Sequence, residues 1–163
     1  MEQPPIRILP TAESGALVSV VVANVGVLWT RDPEFTWGAL NQLERLLETM
    51  VDDLGGRVQN HSGDSFIVAF DNPAAAVMWC ARMQEGLLAL DWPDALAGTP
   101  DEVGVQEMLF GGLMARMAIH GGTAEELEAI VGLAHPGQVL VSGRTFDRID
   151  DPVPTDLRVD SIG

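Results

Sequence analysis

In the stretch "QNHSGDSFIVAF", residues 59–70, His61 and Asp64 stand three positions apart around Gly63, with Ser65 directly after. A carboxylate held at a tight turn can bind a hard divalent cation, and a nearby imidazole would add a nitrogen ligand. Ser65 lacks the Gly-Xaa-Ser-Xaa-Gly setting of a nucleophile elbow, so a catalytic serine is not expected. His61, His120 and His135 include no pair at the helical spacing of a zinc site, and His120 is read as a framework residue. Asp52-Asp53 and Glu125-Glu126-Glu128 read as solvated helix faces. Gly121-Gly122 before a helix would offer free N–H groups to an anion, but the "EELE" that follows repels one.

The elements that must position these residues are legible in outline. Residues 1–15, rich in Pro, Glu and Ser, read as an irregular lead-in, and a single domain is expected over 16–163. "LVSVVVAN" is β-branched and apolar on both faces, as a central strand is. Asp32-Pro33 predicts a helix start, Trp37, Leu40, Leu43, Leu47 and Val51 its apolar face, and Gly55-Gly56 its end. Residues 57–70 read as a hairpin turning at Ser62-Gly63-Asp64. Asn72-Pro73 opens a second helix, with Ala76, Val77, Cys80, Met83, Leu87 and Leu90 on one face. An acidic loop containing Pro and Gly follows over 91–112, then a strand at "LMARMAIH", a helix at "TAEELEAIVGLA" capped by Thr123 with Glu126 as its box partner, a strand at "GQVLVS", a helical turn at "GRTFDRI" and a last strand at "DLRVDSIG". This order predicts an α+β domain with a ferredoxin-like βαββαβ core: a mostly antiparallel sheet with helices on one face, the other needing cover from a partner.

Composition narrows the partners. Nine basic residues, all arginine, against 24 acidic ones give a net charge of −15, a field that repels phosphate backbones and anionic lipid. Nucleic acid and membrane insertion are therefore not expected; the longest apolar stretch, residues 15–29, is short for a span and interrupted by Ser19 and Asn24. The lone Cys80 excludes a disulfide within the chain and suits a reducing compartment, while the N-terminal residues give no address.

The runs "GGRVQNHSGDSFIVAFDNPAAAVMWCARMQEGLLALDWP", "GLMARMAIHGG" and "PGQVLVSGRTF" come in an order that resembles the catalytic domain of class III adenylate and guanylate cyclases, nearest in flavour to the fungal and kinetoplastid enzymes. The resemblance covers residues 16–150. It implies a βαββαβ sandwich that works as a dimer, with nucleotide at the interface and two metal ions on two carboxylates. A Lys and an Asp would read adenine, and an Asn and an Arg would orient ribose and stabilise the transition state. Two cations neutralise the triphosphate while the 3′-hydroxyl attacks the α-phosphorus.

Position by position, the resemblance puts Asp64 at one metal carboxylate and Asn24 at the other, in a turn shortened to "VVANVGVLW". Asn60 stands at the adenine-reading Lys, Glu125 at the Asn and Ala129 at the Arg, and the stretch carrying the adenine-reading Asp is missing. Each lost group would cost roughly a few kcal/mol of transition-state stabilisation. The expectation is a domain that is not an enzyme: no catalytic residues, no metal, no cofactor, vestigial positions at 24, 60, 64, 125 and 129, and Asp64 serving as a turn residue that accepts local backbone N–H bonds. It would serve as an assembly or dimerisation subunit of a larger complex, homo- or heteromeric, joined through the apolar sheet face or the former dimer interface. The alternatives are a nucleotide or small-ligand sensor without turnover and a divergent active cyclase using Asp64.

Overall fold

The computed structural model describes residues 15–92 and 112–149. β1 (Ala16–Val22) leads into α1 (Val25–Arg31) and α2 (Pro33–Val51), which ends in a 3-10 turn at Asp52–Leu54. β2 (Arg57–Ser62) and β3 (Ser65–Phe70) form the hairpin, α3 (Pro73–Ala89) follows, and β4 (Ala115–His120), α4 (Ala124–Val131), β5 (Val139–Val141) and α5 (Gly143–Phe146) complete the described order. The strands lie in the order β2-β3-β1-β4-β5, antiparallel except for the β4/β5 pair. This is the ferredoxin-like α+β arrangement that the element order predicts.

Period-two alternation sends β1 side chains to two cores. Val18 and Val20 join Phe66, Val68, Phe70, Met117 and Ile119 on one face, under Leu43 and Leu47 of α2 and Trp79, Cys80, Met83 and Leu87 of α3. Burying each of the larger side chains contributes about 1.5–3 kcal/mol. Leu17, Ile67, Ala69 and Ala118 form the other face, covered by Leu127 and Val131 of α4. The expectation of helices on one face only is therefore corrected. The eight-residue α4 is amphipathic enough to close the second face, so the apolar alternation of β1 and β3 is satisfied largely within the chain.

Local signals behave as their chemistry requires. The Asp32 Oδ1 accepts from the Phe35 N–H at 2.9 Å, and the Asn72 Oδ1 from the Ala74 N–H at 2.9 Å, each with proline in the first helical turn. Thr123 Oγ1 accepts from the Glu126 N–H at 3.2 Å and caps α4. One reading of a helix face changes. Trp37 is 66% exposed, and the buried stripe of α2 runs through Phe35, Thr36, Ala39, Leu43, Leu47 and Val51. Trp79 of α3 is fully buried and tilted against Phe70 at 5.6 Å between ring centres. Helix α1 was not anticipated, because its Val-Gly-Val start carries strand-like and helix-breaking residues; the buried Leu28 anchors it. The lead-in, the strand expected at "DLRVDSIG" and nearly all of the acidic loop lie outside the described residues.

Candidate functional site

β1 ends where the hairpin turns. The Val22 N–H donates to the Asp64 carbonyl at 2.9 Å, and the Ala23 N–H donates to the Met114 carbonyl at 2.9 Å. Asn24 follows in the left-handed region at φ 55°, a conformation that Asn and Asp tolerate better than other side chains. Its carbonyl accepts from the Val27 and Leu28 N–H groups, which starts α1. The backbones of Asn24 and Asp64 thus both lie at the end of β1 that leads into α1.

The β2–β3 turn is two residues, Gly63-Asp64, with Gly63 at φ 57°. Ser65 Oγ donates to the Ser62 carbonyl at 3.2 Å across it. The Asp64 side chain is half-buried, and among the described residues no hydrogen bond or ion pair engages its carboxylate. This corrects the reading of Asp64 as a turn-stabilising acceptor: the serine hydroxyl and Gly63 do that work, and the carboxylate stays available. His61 does not join it. Its ring stacks on Phe66 at 4.2 Å, its Nδ1 lies 3.4 Å from Glu44 Oε1, and its Nε2 lies 3.3 Å from the Gly63 carbonyl.

Asn60 reaches its position through an irregularity. The register shifts between Val58, opposite Val68, and Asn60, opposite Ile67. A bulge of this kind re-aims side chains, and it puts Asn60 on the same face as Ile67. There the Asn60 Oδ1 is buried without a hydrogen-bond partner. With Ser19, Val21, Ser65, Ile67, Glu128 and Val131 it lines a cavity of about 290 Å³ between the sheet and α4.

Glu125 and Ala129 lie elsewhere. Both are exposed, whereas Leu127 and Val131 face the sheet. Of the α4 residues, Val131 and Glu128 line the cavity, Glu128 from the exposed face to which the sequence assigns it with its neighbours. Ser19 was missed; its signal was a polar residue within an otherwise apolar central strand. It is 4% exposed and stands opposite Ile67.

A second polar cluster fixes α4 in place. His120 Nε2 lies 2.7 Å from Glu126 Oε2, and His120 Nδ1 lies 2.8 Å from Ser142 Oγ. Ser142 Oγ donates to Thr145 Oγ1 at 2.7 Å, and that oxygen also accepts from the Gly121 N–H at 2.8 Å. The hydrogen bond from His120, and then that from Thr123, hold the Glu126 carboxyl below the usual carboxylate range. Burial pushes the Cys80 thiol well above its ordinary value.

The Asp64 carboxylate, half-buried beside the end of β1, is an oxygen donor of the kind a hard cation takes. No group of three or more His, Cys, Asp or Glu forms a self-sufficient metal cluster among the described residues. No described helix is long and apolar enough to cross a membrane.

No family model matches the chain. It is 32% identical over 111 residues to an adenylate cyclase of Podospora anserina, covering 66% of this chain and 5% of that protein. It is 30% identical over 120 residues to the adenylate cyclase of Schizosaccharomyces pombe, covering 71% and 7%. The chain therefore spans less than a tenth of the length of these curated relatives. Among solved structures, a Trypanosoma brucei adenylate cyclase in its monomeric state superposes with a TM-score of 0.71 at 20% identity, covering 86% of this chain and 78% of that one. The guanylate cyclase domain from Catenaria anguillulae in complex with GTP gives 0.66 at 12% identity, covering 83% and 81%.

These relatives overturn the expectation that the chain is not an enzyme. The proteins it resembles in sequence are named adenylate cyclases, and its structural neighbours are cyclase domains, one with GTP in place. The expectation rested on subtracting side chains at single positions.

Proposed function

We propose, from the premise that the chain is a class III nucleotide cyclase homology domain, that it is a divergent cyclase domain acting on a purine nucleoside triphosphate. The observation that carries this reading is the Asp64 carboxylate, half-buried and unengaged beside the end of β1. Asp64, with the Asn24 side-chain oxygen as a weaker companion, would hold a divalent cation borne by the triphosphate. That ion supplies charge neutralisation at the phosphates.

The chain's own contribution is positional. The bond from Val22 to the Asp64 carbonyl and the Gly63 turn fix the carboxylate against the sheet. Asn24 preserves the left-handed turn that starts α1 while offering an uncharged oxygen. Neither Glu125 nor Ala129 offers a cationic group to a phosphate. In this reading a second cyclase domain, identical or different, completes the site from across an interface.

The test is formation of 3′,5′-cyclic nucleotide from ATP or GTP with Mn²⁺ or Mg²⁺, measured by mass spectrometry for the chain alone and mixed with an active cyclase domain. Product is expected, and Asp64→Ala should lower its rate by about 10²-fold or more, the scale for loss of one charge-stabilising group. Absence of product under every condition refutes the reading. A nucleotide sensor without turnover is the second reading, favoured by the cavity beside Asn60. It would show as a nucleotide-dependent rise in melting temperature with no product.

A further inference from the structure

The turn that carries Asp64 is tied to α2 by a side chain that has no part in the cation-binding reading. His61, on β2, stands opposite Phe66 in the strand register and lays its ring on it, 4.2 Å between centres and 14° between planes. Phe66 is 3% exposed, so the imidazole rests on a fixed surface. Its two nitrogens face acceptors on two different elements: Nδ1 lies 3.4 Å from Glu44 Oε1 on α2, and Nε2 lies 3.3 Å from the Gly63 carbonyl oxygen. Either neutral tautomer donates to one of these oxygens, and the imidazolium donates to both. Glu44 is a firm support, because its neighbours Leu43 and Leu47 anchor α2 in the main core.

The contact to Gly63 matters because of the peptide unit it engages. The Gly63 C=O and the Asp64 N–H share one plane, so a bond that holds the oxygen fixes the plane through which the chain enters Asp64. The next plane is held too, since the Asp64 carbonyl accepts from the Val22 N–H at 2.9 Å. With both flanking planes fixed, the two soft dihedrals of Asp64 have little freedom, and the Cα–Cβ bond that carries the carboxylate takes one direction. Gly63 cannot supply that restraint itself: it sits at φ 57° and has the widest backbone freedom of any residue. The bond from Ser65 Oγ to the Ser62 carbonyl closes the turn but engages neither plane beside Asp64.

We propose that His61, braced by Glu44, is a positioning residue for the Asp64 carboxylate. This role rests on the reading of Asp64 as the group that holds the cation, and it extends that site to α2. Phe66 sets the plane of the ring, Glu44 takes one nitrogen, and the other nitrogen holds the Gly63 carbonyl, so the rigidity of the helix passes to a two-residue turn. His61 acts through Gly63 and touches neither the cation nor the nucleotide.

Two variants separate the ring from its nitrogens: His61→Phe keeps an aromatic ring against Phe66 and removes both donors, whereas His61→Gln removes the ring and keeps N–H donors. Backbone ¹⁵N relaxation of the full chain reads the turn without any need for turnover. The Asp64 N–H order parameter is expected near the rigid value of about 0.85 in the unmodified chain, below about 0.6 in His61→Phe, and restored in His61→Gln. Cyclase assays with Mn²⁺ and ATP or GTP, in whichever mixture gives product, read the consequence. His61→Phe should lower kcat by about 10-fold and change KM by less than about 2-fold, because misplacement is felt in the transition state. Glu44→Ala should act in the same direction, and the double variant should be no slower than His61→Phe alone. An unaltered order parameter or kcat in His61→Phe, a rise in KM alone, or His61→Gln as impaired as His61→Phe each overturns the assignment. Loss of order in the turn of His61→Phe, with no cyclic product from any form, would refute the cyclase reading and leave the His61 contact standing, whereas full-rate product from His61→Phe would do the reverse.

Discussion

His120→Ala tests whether the polar cluster behind α4 holds the site together. The imidazole is almost wholly buried, its side chain 6% exposed against 50% for Glu126. Its removal breaks the 2.7 Å contact to Glu126 and the 2.8 Å contact to Ser142 and leaves a void between β4 and α4. Glu126 is rehydrated cheaply because it is half exposed, and Ser142 keeps Thr145, so most of the cost comes from the void and the Ser142 bond. The loss amounts to about 3 kcal/mol, which at this chain length lowers Tm by about 6–12 °C. Calorimetric melting at neutral pH measures it. A Tm within about 2 °C of the unmodified chain would refute the reasoning, because it would mean that α4 is held by Leu127 and Val131 alone.

Other outcomes follow from the same geometry. Because its folded-state pKa is depressed, the Glu126 carboxylate contributes stability that is present above the ordinary carboxylate pKa and lost as pH falls through the lowered folded value. Melting curves of the unmodified chain and Glu126→Gln should therefore differ near neutrality and converge as the medium turns acidic; a constant gap down to about pH 3 counts against the His120 contact. Gly56→Ala would place a methyl 2.8 Å from both the Phe70 ring and Val51 Cγ2, so urea unfolding should show a loss of about 1–3 kcal/mol, and an unchanged midpoint would contradict the packing there. Cys80, fully buried with its thiol pushed up, should resist a thiol reagent in the native state and react once unfolded; rapid labelling of folded protein would place it at the surface instead.

Much of the architecture was legible because local chemistry and tertiary packing agree. Asp32-Pro33, Asn72-Pro73 and Thr123 cap the helices they were expected to cap, and Gly63-Asp64 turns the hairpin. Sequence reasoning failed where packing overrides spacing. Trp37 fits the three- and four-residue rhythm of α2, yet Phe35 and Ala39 hold the stripe against the core, and the helix turns Trp37 outward. The cover of the second sheet face was equally invisible, since nothing in the "TAEELEAIV" run says which side of the sheet its leucine and valine will meet.

The site shows the same division at finer grain. Near the turn, a backbone hydrogen bond from Val22 to the Asp64 carbonyl puts Asn24 and Asp64 both at the end of β1. Farther along the chain, local irregularities decide where a side chain lies. A one-residue bulge before Asn60 decides which face its amide serves, and α4 turns Leu127 and Val131 to the sheet while Glu125, Glu128 and Ala129 are exposed. A count of missing side chains is therefore a weak argument for lost chemistry. The count is made along the chain, whereas side chains act through space, and only the fold brings Ser19 and Asn60 to one cavity.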